Sequence, residues 1–136
     1  IEEFFGGLAD FAASVGVLLA MEANPTIYNT NFLNETAQAI EMVRKLNRKG
    51  LSVNLDLGTM VQNDESADVL NNACYISHTH FSEPYIKPLE KRELHSEVAK
   101  TLLEQNYEGF FSVEIGDANP VEEVIASIEY VGELLG

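Results

Sequence analysis

The sequence has few basic residues and almost no cysteine. Its 136 residues include eight Lys and Arg against 22 Asp and Glu, a formal net charge of −14, and one cysteine, Cys74. The shortage of basic side chains argues against partners that present phosphates, such as nucleic acid or an anionic membrane. One cysteine cannot form an intramolecular disulfide, so we expect Cys74 to be a packing residue at the start of a buried strand.

Long apolar stretches are also missing. The longest extends from Val15 to Met21 and is interrupted by Gly16, whereas a membrane-spanning helix needs roughly 20 apolar residues. The first residues show no basic leader and no cleavage pattern, so we expect a cytoplasmic protein. With 46% hydrophobic residues, the chain can build one sizeable core and is too short for two full domains.

Two patterns alternate along the chain. Short runs rich in Val, Ile, Leu and Phe predict strands, and longer stretches with apolar residues every three or four positions predict helices. The predicted strands are 15–21, 51–55, 73–79 and 110–115. The predicted helices are 2–13, 34–48, 64–72, 91–105 and 119–134. This alternation is typical of parallel βα units, so the sequence predicts an α/β fold.

Residues that favour helix ends support these bounds. Asn34 and Asp64 are predicted N-caps, and Pro120 suits the first position of a helix. Gly50 and Asn106 suit the carboxyl-terminal ends of helices. We expect His95, within the fourth predicted helix, to be exposed.

A polar side chain able to bind a metal follows each predicted strand or lies near its end. The four are Glu22, Asp56, His80 and Glu114. Successive members are separated by about one βα unit, roughly 30 residues, so consecutive parallel strands would bring them together. Any one of these residues could be a solvent-facing strand end, but four at matching positions favour a site. Three carboxylates and one imidazole favour Mn²⁺, Mg²⁺ or Co²⁺, with Zn²⁺ as an alternative.

Side chains alternate along a strand, so residues two positions before the candidate ligands share their face. These residues are Ala20, Asn54, His78 and Ser112. The opposite face is largely apolar, and we expect it to pack against helices while the polar face points inward, as in a barrel. Asn54 and His78 are therefore predicted to support the ligands. For His78, a purely structural role in the core is the alternative.

Five short segments carry a resemblance to a known family. They are Met21-Glu22-Ala23-Asn24-Pro25, Asn31-Phe32, Asn54-Leu55-Asp56-Leu57-Gly58, His78-Thr79-His80-Phe81-Ser82-Glu83-Pro84 and Ser112-Val113-Glu114. Together they resemble the xylose-isomerase-like barrels, specifically the sugar (phosphate) isomerase/epimerase group. The resemblance implies that residues 1–136 form one partial TIM-barrel domain, strands five to eight of a (β/α)8 barrel with the helix that precedes them. The other half would come from a missing N-terminal half-barrel or from a homodimer formed through open strand edges.

The resemblance also implies an activity. In that family, a Glu, an Asp, a His and a Glu at the ends of strands five to eight bind a divalent metal, which here implies Glu22, Asp56, His80 and Glu114. The implied reaction is isomerisation or epimerisation of a sugar or sugar phosphate through an enediolate. Glu22 and Glu114 would exchange the proton on opposite sides of the substrate, while Asp56 and His80 would mainly hold the metal.

Three further residues are candidates for binding substrate near the expected mouth of the barrel, namely Asn24, Glu83 and Lys87. Turn formation is the alternative for Asn24, and a solvated surface charge is the alternative for the other two. The chain departs from the family pattern at Thr59, where many members carry His after Asp-x-Gly, and at Ile86, where epimerases carry Arg. The identity of the substrate is therefore left open.

Other functions compete with the leading one. An inosose-type dehydratase would use the same fold and the same metal, and a non-catalytic half-barrel fragment would bind no substrate. Endonuclease IV shares the superfamily, but it uses more metal ligands and needs a basic groove for phosphates, which this acidic chain lacks.

Overall fold

The computed structural model describes residues 1–136 apart from the side chain at position 72. Four strands form the centre of the fold: β1 (Leu19–Glu22), β2 (Leu51–Asp56), β3 (Ile76–Phe81) and β4 (Phe110–Val113). Five α-helices accompany them: α1 (Glu2–Ser14), α2 (Thr36–Leu46), α3 (Leu57–Gln62), α4 (Glu93–Glu104) and α5 (Val121–Leu135). Three 3-10 helices lie in the connections, at Thr26–Tyr28, Ala67–Tyr75 and Pro84–Ile86.

The four strands form one parallel sheet in the order β1-β2-β3-β4. Sequential parallel neighbours need a crossover between them, and helical segments supply each crossover here. The predicted α/β order of βα units is thus confirmed. All carboxyl ends of the strands meet at one edge of the sheet, which is where α/β folds place their ligands.

The outer face of the sheet carries the core. Leu51, Val53 and Leu55 of β2 are buried there with apolar residues of the flanking helices. The helical members of this cluster include Ala39, Ile40, Val43, Val98, Ala99 and Leu102. Their spacing of three and four residues puts them on one side of α2 and of α4. The predicted division into an apolar outer face and a polar inner face is confirmed.

A β-bulge displaces one residue of β3. Val53 pairs with Ile76 and Asn54 pairs with His78, so Ser77 has no partner position on β2. Because the bulge adds one residue, Ser77 lies on the inner face next to His78 and its hydroxyl is 2.7 Å from that of Ser52. The bulge thus lets Ile76 pair with Val53 on the apolar face while His78 and His80 face inward.

Several predicted ends of elements were wrong. β1 begins at Leu19 because the chain turns at Gly16, with φ of 73°, after α1. β3 begins at Ile76, and Cys74 is exposed in the preceding 3-10 helix rather than buried in a strand.

The prediction that His95 is exposed was also wrong. His95 is fully buried against Phe81 and Tyr130.

Three of the predicted helix-end residues have other roles, and a fourth agrees with the prediction. The N-cap of α2 is Glu35, while the Asn34 amide donates to the Asn24 carbonyl at 2.7 Å. Asp64 has φ of 55°, and Ser66 caps the 3-10 helix that follows. Pro120 is the residue before α5 rather than its first residue. The structure places Asn106 just after α4 with φ of 55°, in agreement with the predicted helix end.

Gly50 is needed for helix packing rather than for ending α2. That helix ends at Asn47, which has φ of 47°. A Cβ atom at Gly50 would lie 2.0 Å from the Ala9 carbonyl oxygen of α1. The glycine therefore lets α1 pack closely against the turn that leads into β2.

In the described part of the chain, no helix is long and apolar enough to cross a membrane.

Candidate metal centre

The four candidate ligands lie where the strands end. Glu22 and Asp56 are the last residues of β1 and β2, and His80 is the last but one of β3. Glu114 directly follows β4, and its backbone N–H donates to the Phe81 carbonyl at 2.9 Å. The parallel ladder therefore brings all four side chains to one edge of the sheet.

His80 lies between the carboxylates. One potential ligand atom from each of Glu22, Asp56 and His80 falls within 4.8 Å of the others. His80 Nδ1 is 3.7 Å from a Glu22 carboxylate oxygen and 3.3 Å from a Glu114 carboxylate oxygen. The structure thus brings together Glu22, Asp56 and His80 as one group, and Glu114 borders this group through His80.

Asn54 and His78 lie behind the ligands. The Asn54 amide donates to a Glu22 carboxylate oxygen, and its nitrogen is 3.3 Å from His80 Nδ1. His78 Nε2 is 2.6 Å from the Ser112 hydroxyl, and the two imidazoles of His78 and His80 meet edge to face with centroids 4.8 Å apart. Both residues therefore contact candidate ligands and restrict their orientation.

Asp56 is held at both carboxylate oxygens. Oδ1 accepts from the Thr59 backbone N–H at 2.6 Å, because Asp56 is the N-cap of α3. Oδ2 accepts from the Ser82 hydroxyl at 2.5 Å. Neither Thr59 nor Ser82 was singled out in the sequence as part of the site. An N-cap signal was present in Asp56-Leu57-Gly58-Thr59, but the contact with Ser82 depends on two distant loops.

The charges in this cluster are poorly balanced. Burial raises the pKa of Glu22, repulsion from Asp56 raises it further, and His80 and Asn54 oppose the shift. Burial and the neighbouring His80 lower the pKa of His78. Asn54 Oδ1 is buried without a hydrogen-bond partner among the described residues. A divalent cation fits such a set, because it neutralises adjacent carboxylates and prefers oxygen and imidazole ligands.

A cavity of about 200 Å³ opens beside the cluster. Its lining residues are Glu22, Ala23, Asn24, Tyr28, Asp56, Thr59, Ser82, Glu83, Ile86 and Glu114. Among these described residues, none is basic. A larger cavity of about 720 Å³ lies at the amino ends of the strands, bordered by His78, Tyr107 and Phe110 but by none of the four candidate ligands. The smaller cavity is therefore the candidate site.

The three predicted substrate-binding residues have different surroundings. Asn24 is exposed at the cavity, and its backbone bonds to Leu33 in the loop. Glu83 lines the cavity but is 3% exposed, and both its carboxylate oxygens accept from the Arg92 guanidinium at 2.7 Å. Lys87 is exposed outside the cavity lining, with its Nζ 5.9 Å from the centre of the Tyr85 ring.

A match to one protein-family model covers residues 1–134, and that family is described as "Xylose isomerase-like TIM barrel". This family match confirms the resemblance inferred from the five sequence segments. A comparison with curated proteins gives no match.

Solved structures of similar fold include several sugar epimerases. A D-psicose 3-epimerase crystallised in the presence of D-fructose has a TM-score of 0.82 and 21% identity, with 99% of this chain and 55% of that chain covered. A 3-keto-D-glucoside 4-epimerase from E. coli has a TM-score of 0.81 and 19% identity, with 97% of this chain and 52% of that chain covered. An L-ribulose 3-epimerase has a TM-score of 0.81 and 16% identity, with 98% of this chain and 52% of that chain covered. The chain therefore spans about half the length of these structures, which confirms the predicted half-barrel.

Proposed function

Because the chain belongs to the xylose isomerase-like TIM-barrel family, we propose that it carries the metal site of a divalent-metal-dependent sugar isomerase or epimerase. Residues 1–136 would form one partial barrel domain, corresponding to strands five to eight. The observation that carries this proposal is the convergence of Glu22, Asp56 and His80 at three consecutive strand ends, with Glu114 beside them. The similar solved structures include three sugar epimerases, which favours the same reaction class.

Glu22, Asp56, His80 and Glu114 would hold the metal in this proposal. Mn²⁺, Mg²⁺ or Co²⁺ suits the oxygen-rich set best, with Zn²⁺ as an alternative. When bound, the ion supplies a Lewis acid that polarises the carbonyl of an open-chain ketose and acidifies the neighbouring C–H. Asn54, through its bond to Glu22, and His78, through its contact with His80, would fix the orientation of these ligands.

Glu22 and Glu114 would move the proton. They flank His80 and both line the cavity, so a substrate placed there meets a carboxylate from β1 and another from the end of β4. One, as a carboxylate, would remove the proton to give an enediolate, and the other, protonated beforehand, would donate its own proton to the opposite face of the same carbon. The raised pKa of Glu22 suits a residue that accepts and then returns a proton.

The cavity favours an uncharged sugar over a sugar phosphate. Its described lining carries four carboxylates and no cation, and Arg92 is already engaged by Glu83 and Glu90. Ile86 lines the cavity where the family resemblance implies Arg in epimerases, and its carbonyl accepts from the Gly116 N–H at 2.8 Å. Asn24 is exposed at the cavity and would bind a sugar hydroxyl, Lys87 would act from outside the lining, and Glu83 would contribute through the cavity wall, where it is paired with Arg92.

The substrate preference can be tested with D-fructose and its 6-phosphate on the Mn²⁺-loaded chain, with binding read from water-proton relaxation. The phosphate ester should bind at least about tenfold more weakly than the neutral sugar, since Glu22, Asp56 and Glu114 carry more charge than one Mn²⁺ neutralises and the described lining offers the phosphate no cation. Ile86→Arg should reduce or reverse this ratio. Equal binding of the two ligands would contradict the preference for an uncharged sugar.

Product analysis separates the activity from its rivals. The chain, loaded with Mn²⁺ in D₂O, is incubated with a panel of ketoses and inososes. Deuterium at the carbon next to a ketose carbonyl supports the isomerase or epimerase, and loss of water from an inosose supports the dehydratase. Metal binding without either reaction supports the non-catalytic half-barrel. Glu114→Gln serves as the control, because it should abolish epimerisation if both Glu22 and Glu114 move protons.

Completion of the barrel by other βα units is part of the proposal. β1 and β4 each have one unpaired edge in the described sheet. The outer surface of α1 carries a row of exposed apolar residues: Ile1, Phe4, Leu8, Phe11 and Val15. A second row on α5 consists of Val121, Ile125 and Ile128. Measurement of mass in solution distinguishes a homodimer from a monomer that requires a different half-barrel.

A further inference from the structure

We propose that Ser82 is a positioning residue that fixes the Asp56 carboxylate for metal binding. This inference rests on the proposed function, because it concerns the same metal site. Ser82 lies in the loop after β3, two residues beyond His80, while Asp56 ends β2. The proposed link therefore joins two ligand-bearing strands through a side chain that is not itself a ligand.

The direction of the hydrogen bonds around Ser82 is determined by its partners. The Gly58 backbone N–H can only donate, and it donates to Ser82 Oγ at 2.8 Å. The Ser82 hydroxyl is then free to donate its own hydrogen to Asp56 Oδ2, 2.5 Å away. Gly58 also lies in the first turn of α3, two residues after Asp56. The hydroxyl thus ties the carboxylate to the backbone that follows it.

The second oxygen of Asp56 is held independently. Oδ1 accepts from the Thr59 N–H at 2.6 Å. Each oxygen of Asp56 thus accepts one hydrogen bond. Together the two bonds fix the plane of the carboxylate and the direction of the lone pairs that remain for a metal. Such outer contacts orient metal ligands in other proteins and typically alter metal affinity about 10- to 100-fold when removed.

The surroundings of Ser82 leave it little freedom. Its side chain is 2% exposed, between Phe81, which is fully buried, and Glu83, whose carboxylate is paired with Arg92. A Cβ atom at Gly58 would lie 3.0 Å from Ser82 Oγ and 3.0 Å from the Glu83 carbonyl carbon. Glycine at position 58 therefore permits this close approach of the two loops, which a Cβ atom would push apart by a few tenths of an ångström.

Ser127 offers a matched control. It is 3% exposed, accepts from the Leu89 N–H at 3.2 Å and donates to the Glu123 carbonyl at 2.9 Å. Ser127 thus resembles Ser82 in burial and in accepting from one backbone N–H while donating once, but it donates to a backbone carbonyl, lies on α5, and is not part of the cavity lining. A general effect of losing a buried hydroxyl would appear in both variants.

The test is a titration of the full chain with Mn²⁺, in which electron paramagnetic resonance measures the concentration of the free ion. Ser82→Ala should weaken binding at least about tenfold, while Ser127→Ala should stay within about twofold of the unsubstituted chain. Ser82→Thr, which keeps a hydroxyl, should recover most of the affinity. Unchanged affinity in Ser82→Ala, or an equal loss in Ser127→Ala, would overturn the proposal.

A measurement on the unsubstituted chain covers the case in which Ser82→Ala does not fold. Mg²⁺ is added while the backbone amide resonances are followed, and Gly58 and Thr59 should be among the residues that shift most. Absence of a shift at Gly58 while Mg²⁺ binds would overturn the role of Ser82 and leave the metal site intact. A chain that binds neither Mn²⁺ nor Mg²⁺ would instead overturn the proposed function, and the role of Ser82 with it.

Discussion

The two central strands and the two edge strands of this sheet hold their candidate ligands very differently. On β2, Asp56 is bonded at both oxygens, and on β3, His80 has a side chain that is 21% exposed. On the edge strands, the side chains of Glu22 and Glu114 are 40% and 46% exposed. The candidate ligands Asp56 and His80 are thus flanked by strands of this chain on both sides. Glu22 and Glu114 have a neighbouring strand on one side only. We therefore expect the chain to bind a metal more readily than it turns over a substrate.

The largest predicted effect is a loss of unfolding free energy when the packing of the central strands is disturbed. Leu55→Ala removes a fully buried side chain from β2 and should lower the free energy of unfolding by about 3 kcal/mol. Val113→Ala, at a half-buried position of β4, should lower it by only about 1 kcal/mol. Urea unfolding followed by circular dichroism measures both. Equal losses at the two positions would show that the edge strand is as well packed as the centre.

The ligands themselves give the next test. Asp56→Asn should weaken Mn²⁺ binding by roughly a hundredfold, because losing a ligand should cost at least as much as losing an outer contact. Glu114→Gln should weaken it by about tenfold, since Glu114 lies at the border of the cluster. Both affinities are measured by competition of Mn²⁺ with a fluorescent chelator. The reverse order of the two variants would contradict the difference between centre and edge.

Stability should also depend on the ion pair beneath the loop after β3. Arg92→Met leaves the Glu83 carboxylate buried without its cation, which should cost about 2 kcal/mol of unfolding free energy. This value is below that of a fully buried pair because the Arg92 side chain is 32% exposed. The adjacent Lys91→Met breaks an exposed pair with Glu133 and should change stability by less than about 0.5 kcal/mol. Thermal unfolding of both variants checks the contrast.

The smallest predicted effect is the pH dependence at the edge. Because the folded pKa of Glu22 is raised, its favourable contribution to metal-free stability is present below the ordinary pKa of 4.5 and is lost as pH rises through the raised value. Metal affinity should change in the opposite sense and rise over that window, since the ion must displace the proton. Melting temperatures across pH should show this slope, and Glu22→Gln should reduce it. Glu3→Gln on α1, an exposed position, should leave the slope unchanged.

Local patterns predicted most of the fold and the positions of the candidate ligands. The apolar spacing predicted the βα order, and strand alternation predicted the shared face of Asn54, His78 and Ser112. The burial of His95 could also have been predicted, because it shares one face of α4 with Val98, Ala99 and Leu102 at spacings of three, four and seven residues. The prediction of an exposed His95 was therefore wrong although this pattern was present in the sequence.

Other features depend on contacts between distant segments and leave no local signal. The bond from Ser82 to Asp56 spans 26 positions and requires the loops after β2 and β3 to approach each other at Gly58. The pairing of Glu83 with Arg92 likewise depends on how the chain returns to α4. The start of β3 was misplaced because Ala73-Cys74-Tyr75 is apolar enough for a strand, although the structure has a 3-10 helix there.

The most direct test of the central claim is a calorimetric titration of the chain with Mn²⁺, with Asp56→Asn titrated in parallel. We predict one saturable site per chain in the unsubstituted protein and its near-complete loss in the variant. Uptake of several weakly bound ions by both proteins alike would show that the acidic surface binds cations without a built site, and it would contradict this account.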